Sequence, residues 1–430
     1  MRFFYGLYSL LLLLFLFVYL AISLLKDPSL RKYRRSLCER FGVYSPRLGE
    51  ELMGSRPLWI HAVSVGETMA ASSLVLELMK RGFQGKMVLS SVTATGNQVA
   101  RERFPGAGAI VFFPLDFRRV VQKSLNRLQP RAVLLTETEL WPHFLRACRE
   151  KGIPCILING RISETSFKRY RWAKWFFRYM VKGMTLLCMQ SEGDLDRIIR
   201  LGADPARVHW TGNLKFDQFV MEKEDNLRPR WWKELVIEEG TPVFIAGSTH
   251  PGEEEAAIAA FLAVKKDIGN LVLLLAPRHP ERLAEVERIF AQSGLAFCRR
   301  SVIGREGERK ADAILLDTMG ELSRMYSLGT VVFVGGSLGR TGGHNILEPA
   351  FYDRPILIGP HMENFREIAE LFLSQEAALC VKDASDLAER LRWLLLHPQV
   401  AREMGERAGL LLRRHQGATQ RTLDLLKAYL

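Results

Sequence analysis

At 430 residues the chain exceeds what one hydrophobic core usually serves, roughly 250–300 residues, so more than one domain is expected. Its formal charge of +13 would suit nucleic-acid binding, but the densest basic cluster adjoins an apolar run at the N-terminus, and that reading is set aside. The cysteines (Cys38, Cys148, Cys155, Cys188, Cys298 and Cys380) form no Cys-x-x-Cys pair and no metal-ligand spacing, so no zinc or iron–sulfur site is expected and a reducing compartment suits them.

Residues 3–25 are an uninterrupted uncharged run rich in Leu and Phe, long enough as a helix to cross a hydrocarbon core of about 30 Å. The run is too long for a signal-peptide core, and no small-residue cleavage site follows, so it reads as a retained signal-anchor. Lys26, Arg31, Lys32, Arg34, Arg35 and Arg40 follow it, and only Arg2 precedes it. The positive-inside rule then predicts a single-pass protein of the inner membrane with its body on the cytoplasmic face. The same cations would bind anionic phospholipid headgroups. A helix lying in the interface without crossing is the competing reading. Either way the body sits on a membrane, which suggests a lipid or membrane-bound partner.

Beyond residue 55, short apolar runs alternate with amphipathic stretches. Strands are predicted at 57–63, 86–92, 131–136, 154–159 and 185–189, with helical patterns at 67–80, 139–151 and 192–201. Residues 217–240 are charged and strand-free. A second series of strands follows at 242–247, 270–276, 313–316, 330–334 and 355–358. The expected fold is α/β: two Rossmann-like, doubly wound domains with a cleft between them. The expected boundaries are an anchor at 1–26, a first domain at 27–220, a linker at 221–240 and a second domain at 241–430, whose last helices can return to the first.

Nearly every notable polar motif falls just after a predicted strand, where ligands of such sheets bind. In His61-Ala62-Val63-Ser64-Val65-Gly66-Glu67, Glu67 opens a helix of small residues. It can accept a proton from an attacking hydroxyl, or simply stabilise the helix start, whose dipole favours the ionised form. In Thr136-Glu137-Thr138-Glu139-Leu140-Trp141-Pro142, Glu137 is expected to face the crevice and Glu139 to cap the helix. Thr93 begins a turn that looks like a helix start, and Arg161 can meet an anion or be an ordinary surface arginine. Lys215 lies where the first domain runs out and can bring positive charge to the cleft.

In the second domain, Ser248 or Thr249 can hydrogen-bond an anion or cap a helix. Pro277 and Arg278 follow a strand, with a guanidinium suited to phosphate. Met319, Gly320 and Glu321 form a turn whose glycine exposes backbone. The glycine-rich stretch after residue 334 (Gly335, Gly336, Gly339, Gly342, Gly343) predicts main-chain N–H groups close to a ligand. Asn345, Ile346, Leu347 and Glu348 would then open a helix able to hold an anion and a ribose hydroxyl.

The blocks HAVSVGE (61–67), TETELWP (136–142), GNLKFD (212–217), STHPGEE (248–254), APRHPER (276–282), DTMGEL (317–322) and GGHNILEPA (342–350) resemble, in that order, the 3-deoxy-D-manno-octulosonic acid (Kdo) transferases of lipopolysaccharide synthesis. These are membrane-anchored GT-B enzymes of glycosyltransferase family 30. The resemblance covers almost the whole chain. It implies transfer of Kdo from CMP-Kdo to a lipid A precursor, lipid IVA, with inversion. It also implies that Glu67 is the proton acceptor, that Glu137 and Lys215 stabilise the transition state, and that CMP is held by Pro277, Arg278, Met319 to Glu321 and Asn345 to Glu348. No cofactor or metal is expected: Arg278, Lys215 and the N–H groups near Asn345 can neutralise the leaving phosphate, and no Asp-x-Asp motif lies next to a strand end in the crevice. A UDP-sugar transferase with a polyprenyl-linked acceptor and a membrane-tethered nucleotide-binding regulator without chemistry remain as alternatives.

Overall fold

The computed structural model describes residues 2–26, 34–218, 227–303 and 311–430. They form two compact units, one of residues 1–218 and 416–430, the other of residues 219–415.

The first unit begins with α1 (Arg2–Lys26), α2 (Arg34–Arg40) and α3 (Pro46–Leu52). Strands and helices then alternate: β1 (Leu58–His61), α4 (Val65–Lys80), β2 (Met87–Ser91), α5 (Ala94–Arg103), β3 (Ala109–Phe112), α6 (Arg118–Leu128), β4 (Ala132–Thr136), α7 (Pro142–Glu150), β5 (Cys155–Gly160), α8 (Glu164–Trp172), α9 (Lys174–Val181), β6 (Leu186–Met189), α10 (Glu192–Arg200) and β7 (Val208–Trp210). The sheet is parallel, in the order β3-β2-β1-β4-β5-β6-β7. Helices cover both faces, so the central strands are buried on both sides and read as continuous apolar runs. Leu58 and Ile60 enter one core with Leu74 and Leu78, while Trp59 enters the other with Phe113 and Phe144.

The second unit repeats the plan: α11 (Leu227–Glu234), β8 (Val243–Thr249), α12 (Glu253–Lys265), β9 (Val272–Pro277), α13 (Leu283–Ser293), β10 (Phe297–Arg299), β11 (Ala313–Leu315), α14 (Leu322–Met325), β12 (Val331–Val334), α15 (Leu347–Phe351), β13 (Ile356–Ile358), α16 (Arg366–Ser374), β14 (Leu379–Cys380), α17 (Ala384–Leu396) and α18 (Pro398–His415). Its parallel sheet has the order β10-β11-β9-β8-β12-β13-β14. The chain then closes with α19 (Ala418–Leu426), which belongs to the first unit. There Leu423 and Leu426 join the core of Leu58 and Ile60, and the Asp217 carboxylate accepts the N–H groups of Gly417 and Thr419. Of the expected linker, residues 221–226 lie outside the described residues, and most of the rest is α11.

The N-terminal apolar run is helical, but its first turns are bound to the protein body. Tyr5 is buried, the Ser9 hydroxyl lies 2.8 Å from His143 Nε2, and the Phe4 ring packs 4.2 Å from that of Trp175. Among the described residues no helix is long and apolar enough to cross a membrane. The side chains of residues 18–26 lie outside those described, as do Arg31 and Lys32 of the basic cluster. The expected transmembrane span therefore has no support in the structure.

Candidate functional site

In the first unit the sheet order reverses between β1 and β4, which are hydrogen-bonded neighbours. The segments leaving their carboxyl ends diverge to opposite sides and leave a crevice there. The Glu67 and Glu137 motifs are those two segments. Ser64, in an extended conformation, caps α4 and accepts the Glu67 N–H. Glu67 reaches back in the manner of a capping box: one carboxyl oxygen accepts the Val63 N–H at 2.8 Å and the other faces the Ser64 hydroxyl at 3.1 Å.

Burial pushes the Glu67 pKa up to about 8. The Val63 N–H opposes the rise, and the charges of Glu137 and Glu139 add to it. The ionised form, which the helix dipole was expected to favour, is thus not the form that burial favours. Desolvation and two neighbouring carboxylates outweigh the first-turn field, and the acid form prevails at neutral pH.

Glu137 is half-buried, and its backbone sits at φ +58°, a left-handed conformation rare outside glycine. Such strain persists only where the surroundings enforce it; here the Glu137 N–H is held by the Ile158 carbonyl at 2.9 Å. Its carboxylate lies 3.8 Å from Lys215 Nζ. The lysine is placed by two asparagines: Asn213 accepts the Lys215 N–H at 2.9 Å, and Asn159, at the end of β5, accepts the Leu214 N–H at 2.8 Å. Glu139 is not the helix cap expected of it. The cap residue of α7 is Trp141, and the helix N–H groups of His143 and Phe144 are taken by Asp116. Burial and Glu137 instead raise the Glu139 pKa to about 7, making it a third member of the acidic group.

Two other sequence candidates have ordinary surroundings. Thr93 caps α5 by accepting the Gly96 N–H, and the Arg161 carbonyl accepts the Thr138 hydroxyl, which ties two strand ends together. His61 is fully buried and stacked on Phe113, and burial holds its pKa near 3, so it remains a neutral core side chain.

In the second unit the reversal falls between β8 and β12. Several N–H groups of the glycine-rich segment, expected near a ligand, are taken up within the protein. The buried Glu253 carboxylate accepts the N–H groups of His250, Gly336, Ser337 and Leu338 at 2.6–2.9 Å. The N–H groups of Gly335 and Gly343 go to the carbonyls of Gly247 and Gly336. A Cβ at Gly335 would stand 2.6 Å from the Ser248 carbonyl oxygen and 2.8 Å from Glu253, so the glycine there makes room for an internal anion. Glu253→Ala would orphan four N–H donors, two of them buried and two partly buried, and we expect it to destabilise the protein by about 3 kcal/mol in urea denaturation, with Glu253→Gln costing less.

The expected nucleotide-binding residues are spread over neighbouring strand ends. Arg278 is exposed just past β9, with its N–H bound to the Thr249 carbonyl. Half-buried Pro277 closes that strand. Met319 and Gly320 are exposed, and Glu321 is held 3.2 Å from Arg300 and by the Thr318 hydroxyl. Asn345 accepts the Leu347 N–H. Ile346 and Leu347 are fully buried, so any contact they make with a ligand is through main chain. Glu348 is half-buried in the first turn of α15, which is only five residues long.

Sequence reasoning missed that the histidines of these motifs come together. His250 and His344 stack with their Nε2 atoms 2.8 Å apart, and His279 packs edge-on against His250. Burial and the nearby Arg278 charge hold His344 near a pKa of 4, and burial also lowers that of His250. Only their positions after β8 and in the glycine-rich segment could have signalled them, and both depend on β8 and β12 being neighbours.

A family profile described as 3-deoxy-D-manno-octulosonic-acid transferase (kdotransferase) matches residues 35–218. The 3-deoxy-D-manno-octulosonic acid transferase of Haemophilus influenzae is 35% identical over 434 residues, spanning 100% of this chain and 99% of that protein. The Bordetella pertussis protein of the same description is 35% identical over 399 residues, 91% of each. Among solved structures, UDP-GlcNAc 2-epimerase of Neisseria meningitidis bound to UDP-GlcNAc is similar at a TM-score of 0.57 and 13% identity, covering 86% of this chain and 100% of that one. That likeness is one of fold: two parallel-sheet α/β domains of the GT-B kind.

Proposed function

The chain belongs to the Kdo transferase family, glycosyltransferases of lipopolysaccharide synthesis, and from that premise we propose that it moves Kdo from CMP-Kdo to the sugar headgroup of lipid IVA with Glu67 as general base. The observation that carries the assignment of the base is a buried carboxyl with a pKa near 8, set beside the Glu137–Lys215 pair. A base works best when its pKa lies near the working pH.

In the forward step the Glu67 carboxylate takes the proton of the acceptor hydroxyl as its oxygen bonds to the anomeric carbon of Kdo. The bond from that carbon to the phosphate oxygen breaks, and CMP leaves with the electron pair. Attack opposite the leaving group inverts the centre through an oxocarbenium-like transition state. Lys215 and Glu137 stabilise that state. Arg278 faces the departing phosphate, and the turns at Met319–Glu321 and Asn345–Glu348 hold the nucleotide.

With cationic side chains meeting the phosphate charge, the transfer needs no metal, and chelation with EDTA is expected to leave turnover unchanged. The protein works at the cytoplasmic face of the inner membrane, held there by α1 and by the basic residues after it on anionic phospholipid.

The test is incubation with CMP-Kdo and tetraacylated lipid A precursor, with products resolved by mass. Addition of Kdo with release of CMP is the expected result. Absence of any Kdo adduct, or activity with a UDP-sugar instead, would overturn the proposal.

A further inference from the structure

Beside the acidic cluster lies a pocket of about 350 Å³ to which nothing above gives a role. Tyr8 of α1, Trp141, and Tyr170, Phe176 and Phe177 of the α8–α9 hairpin supply its aromatic lining. Thr138 and Glu139 line the same space, and Glu139 is close enough to Glu137 to feel its charge. A molecule in this pocket therefore has one end at the carboxylates and the rest among aromatic rings.

The surroundings indicate which molecule. On α1, beyond Tyr8, Leu10, Leu11, Leu13 and Leu14 are each more than half exposed and Phe17 is 73% exposed. At the turn between α8 and α9, Trp172 is 92% exposed, in the sequence Lys168-Arg169-Tyr170-Arg171-Trp172-Ala173-Lys174. An exposed tryptophan among cations suits the interface of an anionic bilayer, where the ring sits at headgroup level and the charges meet phosphate. Arg169 itself lines the pocket, a cation at the mouth of an apolar slot. That combination fits an acyl chain attached to a phosphorylated head.

We propose that this pocket takes an acyl chain of the membrane-borne acceptor and so positions its headgroup at the acidic cluster. The inference rests on the proposed Kdo transfer to a lipid and adds the subsite that grips the lipid. It also gives the docked first turns of α1 a purpose: with Tyr8 in the lining, α1 is a wall of the lipid site and lies against the body.

The test uses the full-length protein in mixed micelles. It compares tetraacylated precursor with the same phosphorylated disaccharide stripped of its acyl chains. Ala173→Trp plugs the pocket from an exposed position, and Phe176→Ala opens its lining. Ala173→Trp should raise the KM for the acylated acceptor at least about tenfold, the equivalent of two unburied methylenes, and leave the KM values for the deacylated acceptor and CMP-Kdo unchanged. Phe176→Ala should change the preference among acceptors of different chain length.

Equal effects on both acceptors, or none on either, would overturn the subsite. If the wild-type protein transfers Kdo to neither acceptor, the functional proposal fails instead. The pocket is then judged by a dansyl-labelled fatty acyl amide: binding lost in Ala173→Trp supports it, and no wild-type binding refutes it.

Discussion

Glu67→Gln lowers kcat by about 10²–10⁴-fold while leaving CMP affinity and the fold intact. The amide keeps the oxygen that accepts the Val63 N–H, so the start of α4 survives, but it has no basic lone pair for the acceptor proton. Titration calorimetry with CMP and product mass analysis separate the two effects. Retained turnover would remove Glu67 from the mechanism.

The same substitution carries a stability signature. Burial raises the Glu67 pKa from its ordinary 4.5 to about 8, so the folded state favours the protonated side chain. Its stabilising contribution is complete below pH 4.5 and is lost as the pH rises through 8. Gln mimics the protonated form at every pH. Glu67→Gln should therefore match wild-type Tm at pH 4 and exceed it at pH 9, a gain in stability bought with activity. A lower Tm at pH 9 would show that the carboxylate stabilises the fold and that its burial has been misjudged.

The pH dependence of turnover should be equally marked. With a base near pKa 8, kcat falls about tenfold for each unit below that value, so activity at pH 6 is about a hundredth of the plateau. Glu137 contributes to the position of this limb. Its negative charge disfavours ionisation of Glu67, with Glu139 adding a smaller push and Lys215 partly neutralising Glu137. Glu137→Gln should lower the plateau and also move the limb to lower pH. Lys215→Met leaves Glu137 without its cation and should move the limb the other way. A limb that stays put in both variants would mean that the three carboxyl groups do not act on one another.

Much of the fold could be read locally. The predicted strands at 57–63, 131–136 and 330–334 are β1, β4 and β12, with ends trimmed by at most two residues. These strands are buried on both faces, and burial of that kind writes itself as an apolar run. The strands that were not predicted, β3, β7, β10 and β14, are the edges of the two sheets. Each is four residues or fewer. A short strand paired on one side carries no such run, and its assignment depends on the neighbour it joins.

The site divides along the same line. Motif positions after strands pointed to Glu67 and Glu137 because a strand, a turn and a helix start are written in consecutive residues, whereas Lys215 was marked by its place at the end of the first domain. That β1 and β4 lie side by side is not. It follows from sheet order, and it alone puts Glu67 within reach of the charges of Glu137 and Glu139. The glycines of the second unit show the opposite error. Five of them so close together suggested an N–H cradle for a ligand, but Glu253, from the start of another helix, takes the N–H groups of Gly336, Ser337 and Leu338.

By itself, then, the sequence determined the alternation of strand and helix, the order of the motifs and the family, since all of these reside in neighbouring residues or in blocks compared one by one. Tertiary structure alone decided the protonation of Glu67, the internal use of the glycine-rich turn and the seat of the first turns of α1. Burial, charge repulsion and packing are interactions between residues distant in the chain, and the chain must fold before any of them has a value.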